Sequence, residues 1–249
     1  VGDKVCAHKG WQTYVVAKDT DPALLKVSES NLPLSTYLGT VGMPGRTAYF
    51  GLNKVGKPKS GETLVVSAAS GAVGTVVGQL AKSYGCHVIG IAGGPEKCAY
   101  VKDVLNFDDC IDYKSGNLDE DLKKACPNGI DIYFENVGGA VTRAVAPLLN
   151  IGSRIPICGF ISQYNAKDML EVETPFNVFG ALEPKPDHRF FVVTEWMNQW
   201  EYATEEISRL ILDDKLFYKE TITKGFENAP QALRDVLTGK NFGKQLIEI

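Results

Sequence analysis

Residues 64–84 read LVVSAASGAVGTVVGQLAKSY, and this stretch decides the fold. Leu64 to Ser67 has the composition of a buried strand, and Ala68 to Gly74 is a turn of small residues. Val73, Val76, Val77, Leu80, Ala81 and Tyr84 then fall at i, i+3, i+4, i+7, i+8 and i+11, the stripe of a helix pressed onto a sheet. Inside the turn, Ala69-x-Gly71-x-x-Gly74 follows the dinucleotide fingerprint with alanine at its first position. The first position makes the tight turn, Gly71 lets the backbone approach a pyrophosphate, and Gly74 lets helix and strand pack closely. Free N–H groups and the positive end of the helix would then receive the phosphates, with Ala72 and Val73 between the glycines.

The rest of the chain repeats the pattern. Gly85 is a natural helix stop, and Cys86 to Ile91 is continuously apolar, as a strand buried on both faces is. A helix is expected over Pro95 to Leu105, a strand over Cys110 to Tyr113, and a helix to Ala125 opened by an Asn117/Glu120 capping box. Strands at Ile130 to Phe134, Ile155 to Cys158 and Arg189 to Thr194 follow, with helices at Ala140 to Leu149 and Glu195 to Leu212. Six strands alternating with helices predict an α/β fold, a doubly wound parallel Rossmann sheet in two halves. Residues 1–16 read as strand-rich, 19–38 as irregular, and Pro44-Gly45 as a turn feeding a short helix. The tail reads as a strand from Thr221, a helix over Ala229 to Leu237 and a strand over Lys244 to Ile249. Three regions result: residues 1–38 and 219–249 bracket a cofactor domain at 39–218.

Bulk properties narrow the partners. The chain has 249 residues, 44% of them hydrophobic and 22% charged, with a net charge of −4. It has no electrostatic footprint for nucleic acid or an anionic membrane, and no apolar run of membrane-spanning length. Six scattered cysteines, none in a C-x-x-C pair, fit a reducing cytoplasm better than a disulfide framework or a structural zinc lobe. Cys6-x-His8 finds no third ligand of the kind a catalytic zinc needs, so no metal is expected. The opening Val1-Gly2-Asp3-Lys4-Val5 has no initiator methionine and is expected to be internal to a longer protein.

The end of the second strand, Ala92-Gly93-Gly94, lacks the carboxylate that binds a ribose 2′-hydroxyl in NAD sites. Glu96 falls in the first turn of the next helix, where acids are favoured in any case, and Lys97 can reach a 2′-phosphate. Both features favour NADP(H).

TVGMPGRTAYFGL (40–52), SGAVGTVVGQLAK (70–82), the Gly94-x-Glu96-Lys97 turn, FENVGG (134–139), CGFISQYN (158–165) and NFGK (241–244) occur together in order. As a set, over nearly the whole chain, they resemble the zinc-independent medium-chain dehydrogenase/reductases. Within that branch they look like the prostaglandin reductase, alkenal double-bond reductase and curcumin reductase family. The resemblance implies NADPH-dependent reduction of the carbon–carbon double bond of α,β-unsaturated ketones and aldehydes. It implies a GroES-like catalytic domain shared by the two chain ends, and a homodimer. It places Gly71 to Gly74 on the pyrophosphate, Gly94, Lys97 and Tyr113 at the 2′-phosphate end, and Asn136 where the sheet opens. Cys158, Gly159, Phe160, Ile161, Ser162 and Tyr164, with Phe191, Val192 and Val193, would line the nicotinamide half, with Met43 nearby and Asn241 closing over the cofactor.

Hydride addition to the β-carbon leaves an enolate, which needs a hydrogen-bond donor, and Tyr164 is assigned that role. Roughly the first quarter of the family chain, including an aromatic donor near the substrate, precedes the stretch that begins here. Residues 166–186 carry acids and an apolar centre in place of a proline- and glycine-rich loop, where substrate specificity is set. An NADPH-dependent quinone reductase and a non-catalytic NADP(H)-binding protein are the alternatives.

Overall fold

The computed structural model describes residues 1–21, 24–27, 30–168 and 171–249. Its centre is a six-stranded, wholly parallel sheet. The strands are β3 (Thr63–Ser67), β4 (His87–Ala92), β5 (Asp109–Asp112), β6 (Ile130–Phe134), β7 (Leu149–Ile157) and β8 (Asp187–Phe190), while β1 (Val5–Cys6) and β2 (Leu25–Lys26) form a separate antiparallel pair. The order β5-β4-β3-β6-β7-β8 is the two-half winding that the alternation predicts. Its reversal point lies between β3 and β6, where the connections leave in opposite directions and open a crevice at the carboxyl ends.

Helices cover both faces. On one, α1 (Met43–Phe50) and α2 (Gly74–Ser83) pack Ala48, Val76, Val77 and Leu80 against Leu64 and Val66. On the other, α4 (Leu118–Ala125) and α5 (Ala140–Val145) set Leu122, Val141 and Val145 against Val65, Ile89 and Tyr133. Alternate residues of β3 therefore serve opposite cores, and all five are buried. The α3 helix (Pro95–Asp103) packs Val101 behind Gly90, whose missing Cβ would lie 2.9 Å from that side chain.

Several boundaries differ from the sequence expectation. Of residues 1–16 only Val5 and Cys6 form strand, paired with β2; Trp11, Tyr14 and Val16 are exposed. The capping box is not made: Asn117 occupies the N-cap position of α4 but its side chain makes no capping bond. The helix expected over 140–149 ends at Val145, and β7 starts at Leu149, well before Ile155. Strand six ends at Phe190, and the expected helix from Glu195 begins as a tight 3-10 segment, Val193–Gln199, before α7 (Trp200–Leu212). The break is at Trp196, whose φ/ψ of −122/31 is non-helical. Trp196 stacks on Phe50 at 5.4 Å and the Trp200 indole N–H donates to the Val193 carbonyl, so aromatic burial overrides the helical run.

The tail runs β9 (Glu220–Lys224), α8 (Ala229–Leu237) and β10 (Lys244–Glu248), the two strands pairing in parallel apart from the main sheet. A single bridge, Gly71 to Gly243, ties this unit to the fingerprint turn.

Candidate active site at the sheet reversal

The fingerprint turn is set by close approach. Ala68 takes φ +51, and its carbonyl accepts the Gly71 N–H at 2.9 Å. A Cβ on Gly74 would lie 2.4 Å from that same oxygen, so only glycine lets α2 start there. No side chain caps α2, and the N–H groups of Val73 and Gly74 have no protein acceptor among the described residues. They form a free donor pair at a helix N-terminus.

Across the reversal point, Ser67 and Asn136 lock the two strand ends together. The Asn136 backbone N–H donates to Ser67 Oγ and its Nδ2 to the Ser67 carbonyl, both at 2.8 Å. Glu135, fully buried, holds the whole corner. Its Oε1 accepts from the Tyr133 hydroxyl (3.0 Å), the Val137 N–H (2.7 Å) and the Gly138 N–H (2.9 Å), and its Oε2 from the Thr142 hydroxyl. Burial, reinforced by the Glu135 charge, pushes the Cys158 thiol up to about 12. Cys158 is therefore a neutral wall residue, not a nucleophile.

These elements enclose a cleft of about 760 Å³ that runs from β4 across the reversal point to the tail. Gly71, Ala72, Val73, Gly74, Lys97, Tyr113, Asn136, Cys158, Gly159, Ile161, Ser162, Tyr164 and Asn241 all line it. Of the other expected residues, Gly94 sits beside the cleft at φ +97, its N–H held by Asp112. Met43 is exposed and outside the lining, and Pro44 takes its place. Phe160 turns its ring onto Tyr164 and Phe176. Phe191 and Val193 are core residues: Phe191 packs on Phe134 and Trp196, and Val193 joins Phe50 and Ala203. Val192 is half-exposed, its N–H engaged by Glu195. None of these three lines the cleft: β8 ends before them, and the packing around Phe134, Trp196 and Phe50 takes up Phe191 and Val193.

At the β4 end, Lys97 Nζ donates to the Gly239 carbonyl at 2.8 Å. Burial, and then the charge of Lys114, lower its proton affinity. The place of a Gly93 Cβ is filled by the Tyr113 ring at 2.8 Å and the Lys114 chain at 3.0 Å. Two lysines that make no ion pair among the described residues thus flank a tyrosine and a glycine pair. At the other end, the Tyr164 hydroxyl lies over Gly159, accepting the Phe160 N–H at 3.4 Å and keeping its own proton available. Tyr164, Phe160, Phe176 and Phe190 follow one another at ring spacings of 5.7, 6.2 and 6.3 Å and form an aromatic wall beyond the cleft mouth.

The profile of the family described as "Zinc-binding dehydrogenase" matches residues 72–199. The NADPH-dependent curcumin reductase of Escherichia coli (strain K12) is 45% identical over the whole chain, which covers 72% of that relative. The chain belongs to the zinc-independent medium-chain dehydrogenase/reductases. Another member of this family, the NADP(+)-dependent 2-alkenal reductase of Nicotiana tabacum, is 41% identical over the whole chain and 71% of its own length. The crystal structure of CurA in complex with NADPH from Vibrio vulnificus superposes with a TM-score of 0.91 at 46% identity, covering all of this chain and 74% of that one. Despite the name of the matching profile, no group of three or more His, Cys, Asp or Glu among the described residues is placed to hold a metal ion. No helix among them is long and apolar enough to cross a membrane.

Glu135 and Lys244 are functional candidates that the motif reading passed over. Glu135 lies inside the FENVGG motif, and an acid that follows directly on the apolar run Ile132–Phe134 is itself a signal for a buried hydrogen-bonded corner.

Proposed function

We propose that this chain binds NADP(H) in the cleft at the sheet reversal and reduces the carbon–carbon double bond of α,β-unsaturated ketones and aldehydes. The observation that carries the reading is one continuous cleft lined by the fingerprint turn with its free N–H pair, by Lys97 and Lys244, and at its other end by the Tyr164 hydroxyl. The residues fit the cofactor on chemical grounds. The only charged side chains lining the cleft, among the described residues, are Lys97 and Lys244, and no carboxylate faces it. A polyanion meets attraction from both lysines there and no carboxylate to repel it.

Bound NADPH supplies the hydride for the β-carbon. The Val73 and Gly74 N–H groups hold the pyrophosphate, while Lys97 and Tyr113 take the 2′-phosphate. Asn136 and Asn241 close on the cofactor from the strand end and from the tail. Tyr164 donates its hydroxyl proton as a hydrogen bond to the substrate carbonyl oxygen, where charge develops as the enolate forms. The aromatic wall from Tyr164 to Phe190 excludes water from the apolar part of the substrate. Residues 1–38 and 219–249 serve as parts of a second domain around the cofactor domain at 39–218. The edge strand β8, with half-exposed Phe190 and neighbouring Val192, is the pairing face of a homodimer in the cytoplasm.

The test mixes the protein with NADPH and panels of enones, enals and quinones while nicotinamide absorbance is followed. Oxidation of NADPH by enones supports the reading. Turnover of quinones alone moves the activity to quinone reduction, and tight NADPH binding without turnover leaves a binding protein.

A further inference from the structure

Lys244 opens β10 and lines the cleft, yet its ammonium has no hydrogen-bond or ion-pair partner among the described residues. Its neighbour Gly243 donates its N–H to the Ser70 carbonyl at 3.1 Å and bridges Gly71, so Lys244 is fixed one residue from the fingerprint turn. The aliphatic stem lies against Gly39, where a Cβ would come within 3.3 Å of Lys244 Cγ. Glu220, its register partner on β9, has a buried carboxylate oxygen without a donor, but the two make no ion pair. Burial lowers the proton affinity of the Lys244 ammonium. A partly buried cation that makes no ion pair with its neighbouring acid is poised to be completed by a group from outside the chain.

We propose that Lys244 is a cofactor-binding residue whose ammonium meets the pyrophosphate from the tail side, opposite the Val73 and Gly74 N–H groups. The assignment rests on the NADP(H) reading above. It divides the work of the two lysines in the cleft. Lys97 reads the 2′-phosphate and so distinguishes NADPH from NADH, whereas Lys244 contacts the part that both cofactors share. It also makes the tail a functional wall of the phosphate site.

The experiment measures dissociation constants for NADPH and NADH by nicotinamide fluorescence on the whole chain, without substrate. Lys244→Met is expected to weaken both cofactors by a similar factor, about tenfold or more, the worth of a charge-assisted hydrogen bond. Lys244→Arg should hold both within about threefold, because charge and reach are kept. Loss confined to NADPH, or no loss for either, overturns the assignment. Equal losses in the Arg and Met variants overturn it as well, since packing and not charge would then be at stake. Lys244→Gln carries the same readings if far-ultraviolet circular dichroism shows that the Met variant does not fold. Failure of the unaltered chain to bind NADPH refutes the cofactor reading itself, a result distinct from any of these.

Discussion

The Lys97 ammonium donates a hydrogen bond of 2.8 Å to the carbonyl oxygen of Gly239, joining the first turn of α3 to the tail just beyond α8. One side chain therefore both bonds to the tail and brings a positive charge to the cleft.

Replacing Lys97 with alanine should weaken NADPH about 10- to 100-fold and change NADH little, on the scale of a charged hydrogen bond. Titration of both cofactors by fluorescence checks this, and equal losses would refute the 2′-phosphate role. The pH dependence has a definite sign. The cation is the binding form, and burial together with Lys114 lowers its pKa below the ordinary 10.5. Preference for NADPH over NADH should be complete near neutrality and decay as pH rises through that lowered pKa, earlier than for a free lysine.

Tyr164→Phe removes the proton offered to the developing enolate and leaves the ring on Phe160. The expected result is a fall in kcat of about 10²- to 10³-fold, as for loss of one oxyanion donor, with the NADPH dissociation constant unchanged. Stopped-flow measurement of the hydride step with a small enone separates the two quantities. An unaltered rate would assign the tyrosine to pocket shape alone.

Glu135→Leu should destabilise the fold by about 3 kcal/mol or more, because the Tyr133, Val137, Gly138 and Thr142 donors lose their common acceptor in a buried corner. Urea denaturation of the purified variant gives the figure. A loss well below 1 kcal/mol would show that the corner finds other acceptors.

Lys244→Met should raise the melting temperature while weakening both cofactors. In the folded chain the Lys244 pKa lies below its ordinary 10.5, so between the two values the unfolded chain binds more protons and stability rises with pH. At neutral pH the desolvated cation is a standing cost, and its removal should also abolish that rise. Thermal melts across the alkaline range test both parts.

Much of the fold was legible because buried parallel strands leave continuous apolar runs, as in Leu64–Val66 and Ile132–Phe134, and because Gly74 has no steric substitute. The lining of the candidate cleft was legible where the pattern is local: Gly71, Gly74 and Lys97, together with Asn136 from the family resemblance, stand at strand ends or helix starts and line it. What escaped was non-local. The break at Trp196 depends on Phe50, which no window around residue 196 contains. Phe191 and Val193 turn inward because of packing around Phe50 and Phe134, whereas the family resemblance implied that they line the cleft. Val15 and Val16 look like strand residues and have no partner to pair with among the described residues.

The bridge between Gly243 and the Ser70–Gly71 turn has a consequence for the order of events during synthesis. The cradle turn and α2 leave the ribosome early, and the segment that lies against them from the tail side emerges long afterwards. A nascent chain can wind its sheet while the cleft still lacks Lys244, Asn241 and the Gly239 carbonyl that accepts from Lys97. On the proposed reading, cofactor would report on completion: it would be held in full only by a chain whose late-made tail has come back to the early-made turn.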